Sequence, residues 1–234
     1  TRHRTGKLSR SEMLFIMVLL HLSPFKHFKV FYHYGIGQQH RACFRELPHY
    51  DRFVGLMPRL FAPLMVLLHS LSGAQTGIYF ADSTKLAVCH NRRIHRHKVF
   101  DGLAARGKTS MGWFFGVKLH FVINHKGQIM AVKITPGNTA DSTVLDEMTR
   151  HLAGKLYADK GYIGQDLFKT LWQRGLHLIT GIRRNMPNYL MPLADKIMLR
   201  KRFVIETVLD TLKSEMGLEH SRHRSPVNAM VHVL

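Results

Sequence analysis

Three carboxylates stand where chemistry is possible: Asp82, Asp159 and Glu206, separated by 77 and 47 residues. Asp82 interrupts the strand-like run "IYFADST" (78–84), Asp159 ends "KLYAD" (155–159), and Glu206 lies in "RKRFVIETVLDTLK" (200–213). The chain has only 15 Asp+Glu against 34 Lys+Arg, so an acid inside an apolar run needs a reason. If the fold brings the three together, their oxygens suit Mg²⁺, a hard cation that keeps part of its water shell. Two such ions about 3.5–4 Å apart serve phosphoryl transfer, one activating water or a 3′-hydroxyl, the other stabilising the leaving oxygen. Each acid also has a plainer role. A strand-end Asp is a common turn former or cap, and a helical Glu is usually a solvated charge.

The elements that would position these acids can be read from pattern. Residues 1–72 read as helical, with a Ser cap opening "SRSEMLFIMVLLHL" (9–22) and Pro58 and Pro63 kinking "DRFVGLMPRLFAPLMVLLHSL" (51–71). After the linker "LSGAQTG" (71–77), strands are expected at 78–84, 113–124 and 127–137, the last two joined by the turn "NHKG". A helix at 139–154 follows, with Val144, Leu145, Met148 and Leu152 on one face. Then come a strand at 155–159, a helix at 163–175, a strand at 176–180 and a long helix from about 196 to 216. Three early strands followed by α/β alternation is the order of a ribonuclease-H-like mixed sheet flanked by helices. That order makes the first and fourth strands neighbours, with the last helix packed across them, so the three acids converge. The domains expected are a helical region (1–72) and a mixed-sheet domain (77–234).

Charge points to the partner. Net charge is +19 with the 17 histidines counted neutral, and a folded protein this basic most often binds nucleic acid through counterion release. A ribosomal or chromatin-type structural protein would share that charge. The 45% hydrophobic content can fill a core and excludes wholesale disorder. Two cysteines, Cys43 and Cys89, make no disulfide framework and fit a reducing cytosol. No signal peptide is evident, and "MLFIMVLL" (13–20) and "LMVLL" (64–68) fall short of the ~20 residues that span a bilayer. No membrane partner is expected. The chain begins at Thr1 and stops in "AMVHVL", ends that read as cut from a longer protein.

Other motifs compete for attention. Cys89, His90, His95 and His97 in "CHNRRIHRH" suggest zinc but lack a second well-spaced pair. The same segment reads better as a basic loop gripping phosphate through Arg92, Arg93, Arg96 and Lys98, or as a plain solvated loop. Gly102-x-x-x-x-Gly107-Lys108-Thr109 formally completes a phosphate-loop pattern. A true one follows a strand and opens a helix, whereas "SMGWFFGVKLHFVI" after it reads as a strand. A flexible DNA-binding loop carrying Arg106 and Lys108 is preferred. Trp113, Phe114 and Phe115 either start a core strand or stack on an unpaired base. "HSRHRS" (220–225), with Arg222 and Arg224, is a phosphate-facing patch or a solvated turn. Asp141, Asp146 and Asp210 read as caps or surface charges, with Asp141 the first alternative if Asp82 is not a ligand.

"YADKGYIG" followed by "RKRFVIETVLDTLK" resembles the DDE transposases of bacterial insertion sequences. In that group the second acid commonly sits in an Asp-x-Gly-x-x pattern like Asp159-Lys160-Gly161-Tyr162. The third sits in a pattern of Tyr, Arg, Glu and Lys. Arg202, Glu206 and Lys213 match its spacing, but Leu199 stands at the tyrosine position. Positions i−4, i and i+7 share a helix face, so Arg202 and Lys213 would flank Glu206 and grip phosphate. The segments "LAVCHNRRIHRHKVF", "GLAARGKTSMGWFFGVKLH", "ITPGNTADS", "GKLYADKGYI", "LITGIRRNMPN", "MPLADKIMLRKRFVIETV" and "EHSRHRSPVN" resemble insertion sequence family 982, over about residues 77 to 230.

This resemblance implies that the helices of 1–72 are a DNA-binding region and that 77–234 is a ribonuclease-H-like DDE catalytic domain that cuts and joins element ends. It implies Asp82, Asp159 and Glu206 as the triad holding two Mg²⁺, with Mn²⁺ as a substitute. Lys160, Arg183 and Arg184 join the basic residues named above as DNA contacts. The expected partners are double-stranded DNA, as terminal repeats and target, and further copies of the chain assembled on it. The expected location is the bacterial cytoplasm, at the nucleoid. Two other functions remain open: a nuclease using the same triad without strand transfer, and a degenerate DNA-binding protein without catalysis.

Overall fold

A computed structural model describes residues 6–187, 190–219 and 223–234. The chain divides into two compact units, Leu71–Thr211 and the residues up to Ser70 together with Leu212–Leu234. The C-terminal residues thus group with the N-terminal helices, whereas the sequence pattern carried the second domain to the chain end.

The unit Leu71–Thr211 is built on six strands: β1 (Ile78–Cys89), β2 (Ala105–Thr109), β3 (Gly112–Asn124), β4 (Ile129–Pro136), β5 (Gly154–Ala158) and β6 (Leu176–Thr180). β1 is central. It runs antiparallel to β3, with Asp82 opposite Phe121, and parallel to β5, with Ala81 opposite Ala158. β6 extends the sheet parallel to β5. The far edge of β3 pairs first with β2 and then with β4. Leaving β2 aside, the order is third, second, first, fourth, fifth, as a ribonuclease-H-like domain requires.

Strand alternation sorts the side chains to two faces. Tyr79 and Ala81 face one cluster with Leu156, Ala158, Leu145 of helix α5 (Asp141–Met148) and Leu171 of helix α6 (Gln165–Gln173). Phe80 points the other way and meets Tyr157 across the parallel pair at a ring separation of 5.8 Å. On that face Asp195 of helix α7 (Leu193–Arg200) accepts from Lys155 Nζ at 2.7 Å and from Tyr157 OH at 2.8 Å.

Two expected elements differ. The long helix from 196 to 216 is two helices, α7 and α8 (Phe203–Ser214), broken by a turn at Lys201–Arg202. No Gly or Pro marks the break. Asp195 ties α7 to β5, while Ile205 and Leu209 bury α8, so packing sets the corner. The expected flexible loop at 102–110 contains strand β2. A Cβ on Gly107 would lie 2.1 Å from Gly137 O, so this strand needs glycine where β4 ends against it.

The helical unit contains α1 (Arg10–Leu22), α2 (Phe28–Val30), a π-helical segment (Phe31–Gln39), α3 (Tyr50–Leu56), α4 (Phe61–Ser70) and α9 (Pro226–Val233). Ser9 and Glu12 form a reciprocal capping box at the start of α1. Met13, Ile16, Met17 and Leu20, spaced i, i+3, i+4, i+7, enter a core with Phe31, Ile36, Phe53, Leu60 and Val231. Tyr50–Ser70 is a 21-residue helical run of hydropathy 1.5, long and apolar enough to cross a membrane by those measures alone. This is longer than the apolar runs counted in the sequence. Phe53, Met57, Leu60 and Leu64 of this run are buried in the helical core.

Three imidazoles adjoin in this unit. His232 lies 4.7 Å from His21 and 5.0 Å from His223, ring to ring, and His21 Nδ1 meets Met216 O at 2.9 Å. Burial, helped by the two neighbouring rings, pulls His232 down to about 4 from 6.5. Between those values the unfolded chain binds a proton that the folded unit refuses. The stability is therefore whole above pH ~6.5 and is lost as pH falls toward ~4, by roughly 3 kcal/mol. Circular-dichroism melts at pH 7 and pH 4.5 should show this loss, and His232→Leu should flatten it.

Candidate active site

Register sets the first two acids side by side. Ala81 and Ala158 are the last residues paired between β1 and β5; Asp82, still inside β1, and Asp159, just past β5, come next. Parallel strands in register send equivalent side chains to the same face, about 4.8 Å apart. Both therefore belong to the Phe80 and Tyr157 face. Asp159 stands at the carboxyl end of β5, where open α/β sheets leave a crevice for ligands.

Helix α8 brings the third acid. Arg202, just before the helix, donates from Nη1 to Asp82 Oδ2 at 3.0 Å and from Nη2 to Glu206 Oε1 at 2.6 Å. One guanidinium thus joins two carboxylates that lie far apart in sequence. Its side chain is only 19% exposed. Asp82 Oδ1 also accepts from Ser83 N at 2.8 Å. Burial pushes the Asp82 carboxyl above its usual range; the Ser83 N–H and Arg202 oppose this, and the Glu206 charge adds to it. Asp159 Oδ1 accepts from Lys160 N at 2.7 Å and caps the short 3₁₀ turn Lys160–Tyr162. The carboxylate is exposed as well as capping.

Asp141 sits on the opposite face, as alternation requires of a partner of Ser83. Its Oδ1 accepts from Ser83 Oγ at 2.9 Å and Lys118 Nζ at 3.1 Å, and lies 3.6 Å from His120 Nδ1. Burial holds His120 below its ordinary value. This network anchors the start of α5 to β1 and β3. Tyr162, buried at the strand ends, is held far above its ordinary range by burial and by the charges of Asp141 and Asp82. The sequence gives Tyr162 a place in the motif but no role, and Asp141 only as an alternative to Asp82; the bonds from Ser83 and Lys118 to Asp141 come from the fold. The Tyr three residues after Asp159 was the available signal. Asp146, read as a cap or surface charge, pairs with Arg174 at 2.8 Å.

The basic candidates divide. Arg92, Arg93 and Arg96 are exposed on the 3₁₀ turn Asn91–Arg96, and Lys98 is exposed just beyond it. Arg106 and Lys108 are exposed on β2, and Lys108 Nζ lies 5.7 Å from the Trp113 ring centre. Trp113 is 62% exposed while Phe114 is 4% exposed, so the aromatic run splits between surface and core. Beside Asp159, Lys160 and Arg184 are exposed, and Arg183 Nη2 donates to Lys160 O at 3.2 Å. Arg202 faces the acids. Lys213, grouped with the helical unit, pairs with Glu219 at 3.3 Å. Arg224 is exposed, and Arg222 lies outside the described residues.

The transposase DDE domain family matches residues 72–226, which include all three acids. The chain belongs to that family. No curated protein matches its sequence. Its fold is similar to that of piggyBac transposase in a synaptic complex with hairpin DNA, at a TM-score of 0.54 and 10% identity, over 99% of this chain and 66% of that one. At that identity the likeness concerns the fold alone, and the chain spans about two thirds of the piggyBac protein's length. The Mos1 strand transfer complex aligns over 99% of this chain and 77% of that one, at 11% identity, but a TM-score of 0.29 carries no argument. The family match gives a DDE domain, and the piggyBac likeness gives its ribonuclease-H-like fold.

The donor types of this DDE domain suit a hard divalent ion, since Asp82, Asp159 and Glu206 all offer carboxylate oxygens. Among the described residues, no group of three or more His, Cys, Asp or Glu side chains converges to hold one. Arg202 stands between Asp82 and Glu206, and Asp159 caps its own turn. Cys89, His90, His95 and His97 form no such group either.

Proposed function

We propose that this DDE domain cuts and joins the ends of a bacterial insertion sequence similar to family 982. The observation that carries the reading is the bridge from Asp82 through Arg202 to Glu206, beside the in-register Asp82 and Asp159. Asp82, Asp159 and Glu206 hold two Mg²⁺, or Mn²⁺ in their place. When bound, the ions supply activation of an attacking oxygen and stabilisation of a leaving one. Asp82, inside β1, and Asp159, just past the end of β5, set two of the acids side by side at the cleavage point. Lys160, Arg183 and Arg184 beside Asp159, with Arg92, Arg93, Arg96, Lys98, Arg106 and Lys108, hold phosphates of double-stranded DNA, as do Lys213, Arg222 and Arg224. The +19 charge and the transposase family support that partner. The N-terminal helices bind the element ends, copies of the chain assemble there, and the work is done in the cytoplasm at the nucleoid.

The test uses labelled duplex carrying the ends of the element that encodes the chain, a target plasmid, and Mg²⁺. Nicked ends together with joined products are expected, and both should vanish with Glu206→Gln. Cut ends that never join would make the protein a nuclease. DNA binding without cutting would make it a DNA-binding protein only.

A further inference from the structure

Arg202 occupies an unusual position for a residue expected to grip DNA. Its two Nη atoms are spent on two acids from different elements, Asp82 on β1 and Glu206 on α8. A guanidinium stays charged at any accessible pH, and its planar fork reaches two acceptors at once. Asp82 is largely withdrawn from water, and the pair is therefore screened less than a surface pair. Without a cation between them, Asp82 and Glu206 would repel across this partly dry space.

We propose that Arg202 is a built-in cation that holds Asp82 and Glu206 until a divalent ion displaces it, and that the displaced guanidinium then takes a DNA phosphate. The proposal rests on the reading of these acids as metal ligands. A divalent ion needs the same lone pairs that Arg202 now fills, so ion and guanidinium compete for Asp82 Oδ2 and Glu206 Oε1. A phosphate offers the fork another bidentate acceptor, and Lys201, Lys160 and Arg184 expose further positive charge within the same unit. Whatever draws Arg202 away from the acids favours the ion. By linkage, DNA tightens metal binding and metal tightens DNA binding by the same factor. The site is thus disfavoured for metal until DNA arrives, which limits cutting to the bound complex.

The experiment is a Mn²⁺ titration of the full chain, reading free ion by electron paramagnetic resonance, with and without duplex DNA. Without DNA, Arg202→Gln should bind Mn²⁺ about tenfold tighter than the native chain, the scale of one charge-assisted hydrogen bond. DNA should tighten Mn²⁺ binding by the native chain and leave Arg202→Gln unchanged. Arg202→Lys, a point charge without the fork, should fall between them and serves if the Gln variant does not fold. Equal or weaker Mn²⁺ binding by the Arg202 variants, with no DNA coupling in the native chain, would overturn the proposal. Asp82→Asn separates the two failures. If it binds Mn²⁺ as the native chain does, the metal-site reading itself falls.

Discussion

Replacing Asp82 with asparagine is expected to cut Mg²⁺-dependent DNA cleavage by about three orders of magnitude. A metal's stabilisation of developing charge is worth several kcal/mol, and each ~1.36 kcal/mol is a factor of ten. Asparagine keeps the shape and one acceptor oxygen, but it loses the negative charge that an ion requires. The fold should survive. Burial already pushes Asp82 toward its neutral form, so removing the charge relieves a desolvation penalty while it weakens the Arg202 pair. These effects oppose each other, and the net change should lie within about 1 kcal/mol. Single-turnover cleavage and a thermal melt on the same preparation check the two halves. A large loss of stability would assign Asp82 to the fold, and unchanged cleavage would remove it from the mechanism.

Phe53→Ala should destabilise the helical unit by about 3–5 kcal/mol, the range for a truncated core aromatic. Phe53 is fully buried, with ring centres 5.1 Å from Tyr32 and 5.6 Å from Phe28. Whole domains are stable by only about 5–15 kcal/mol, so this is a large share. If the N-terminal helices read the element ends, this variant should lose preference for end DNA over random duplex at temperatures where the native chain keeps it. Urea unfolding followed by helical signal, beside competition binding with the two DNAs, is the measurement. Retained preference in a variant whose helical unit has unfolded would move end recognition to the sheet-bearing unit.

Much of this protein was legible in its order of residues. Strands 78–84, 113–124, 127–137, 155–159 and 176–180 have counterparts in β1, β3, β4, β5 and β6, because β-branched and aromatic runs bounded by turn residues leave few other choices. The capping box of α1 was legible for the same local reason. Strand β2 was not, since "ARGKT" has no apolar alternation. It is a strand because Gly107 admits the backbone at Gly137 and β3 offers an open edge. The corner between α7 and α8 had no sequence signal either, since contacts to β5 and burial of Ile205 set it.

The candidate site divides along the same line. Sequence by itself determined which acids stand alone in apolar surroundings, and strand order made two of them neighbours. Only the tertiary structure decided that Arg202 faces the acids, that Asp159 caps its own turn, and that Asp141 stands on the far face. Helical spacing places a side chain on a face but cannot say what that face meets. A guanidinium four residues before Glu206 reaches that acid by helical spacing alone, and only the fold that brings Arg202 to β1 supplies Asp82 as the second acceptor.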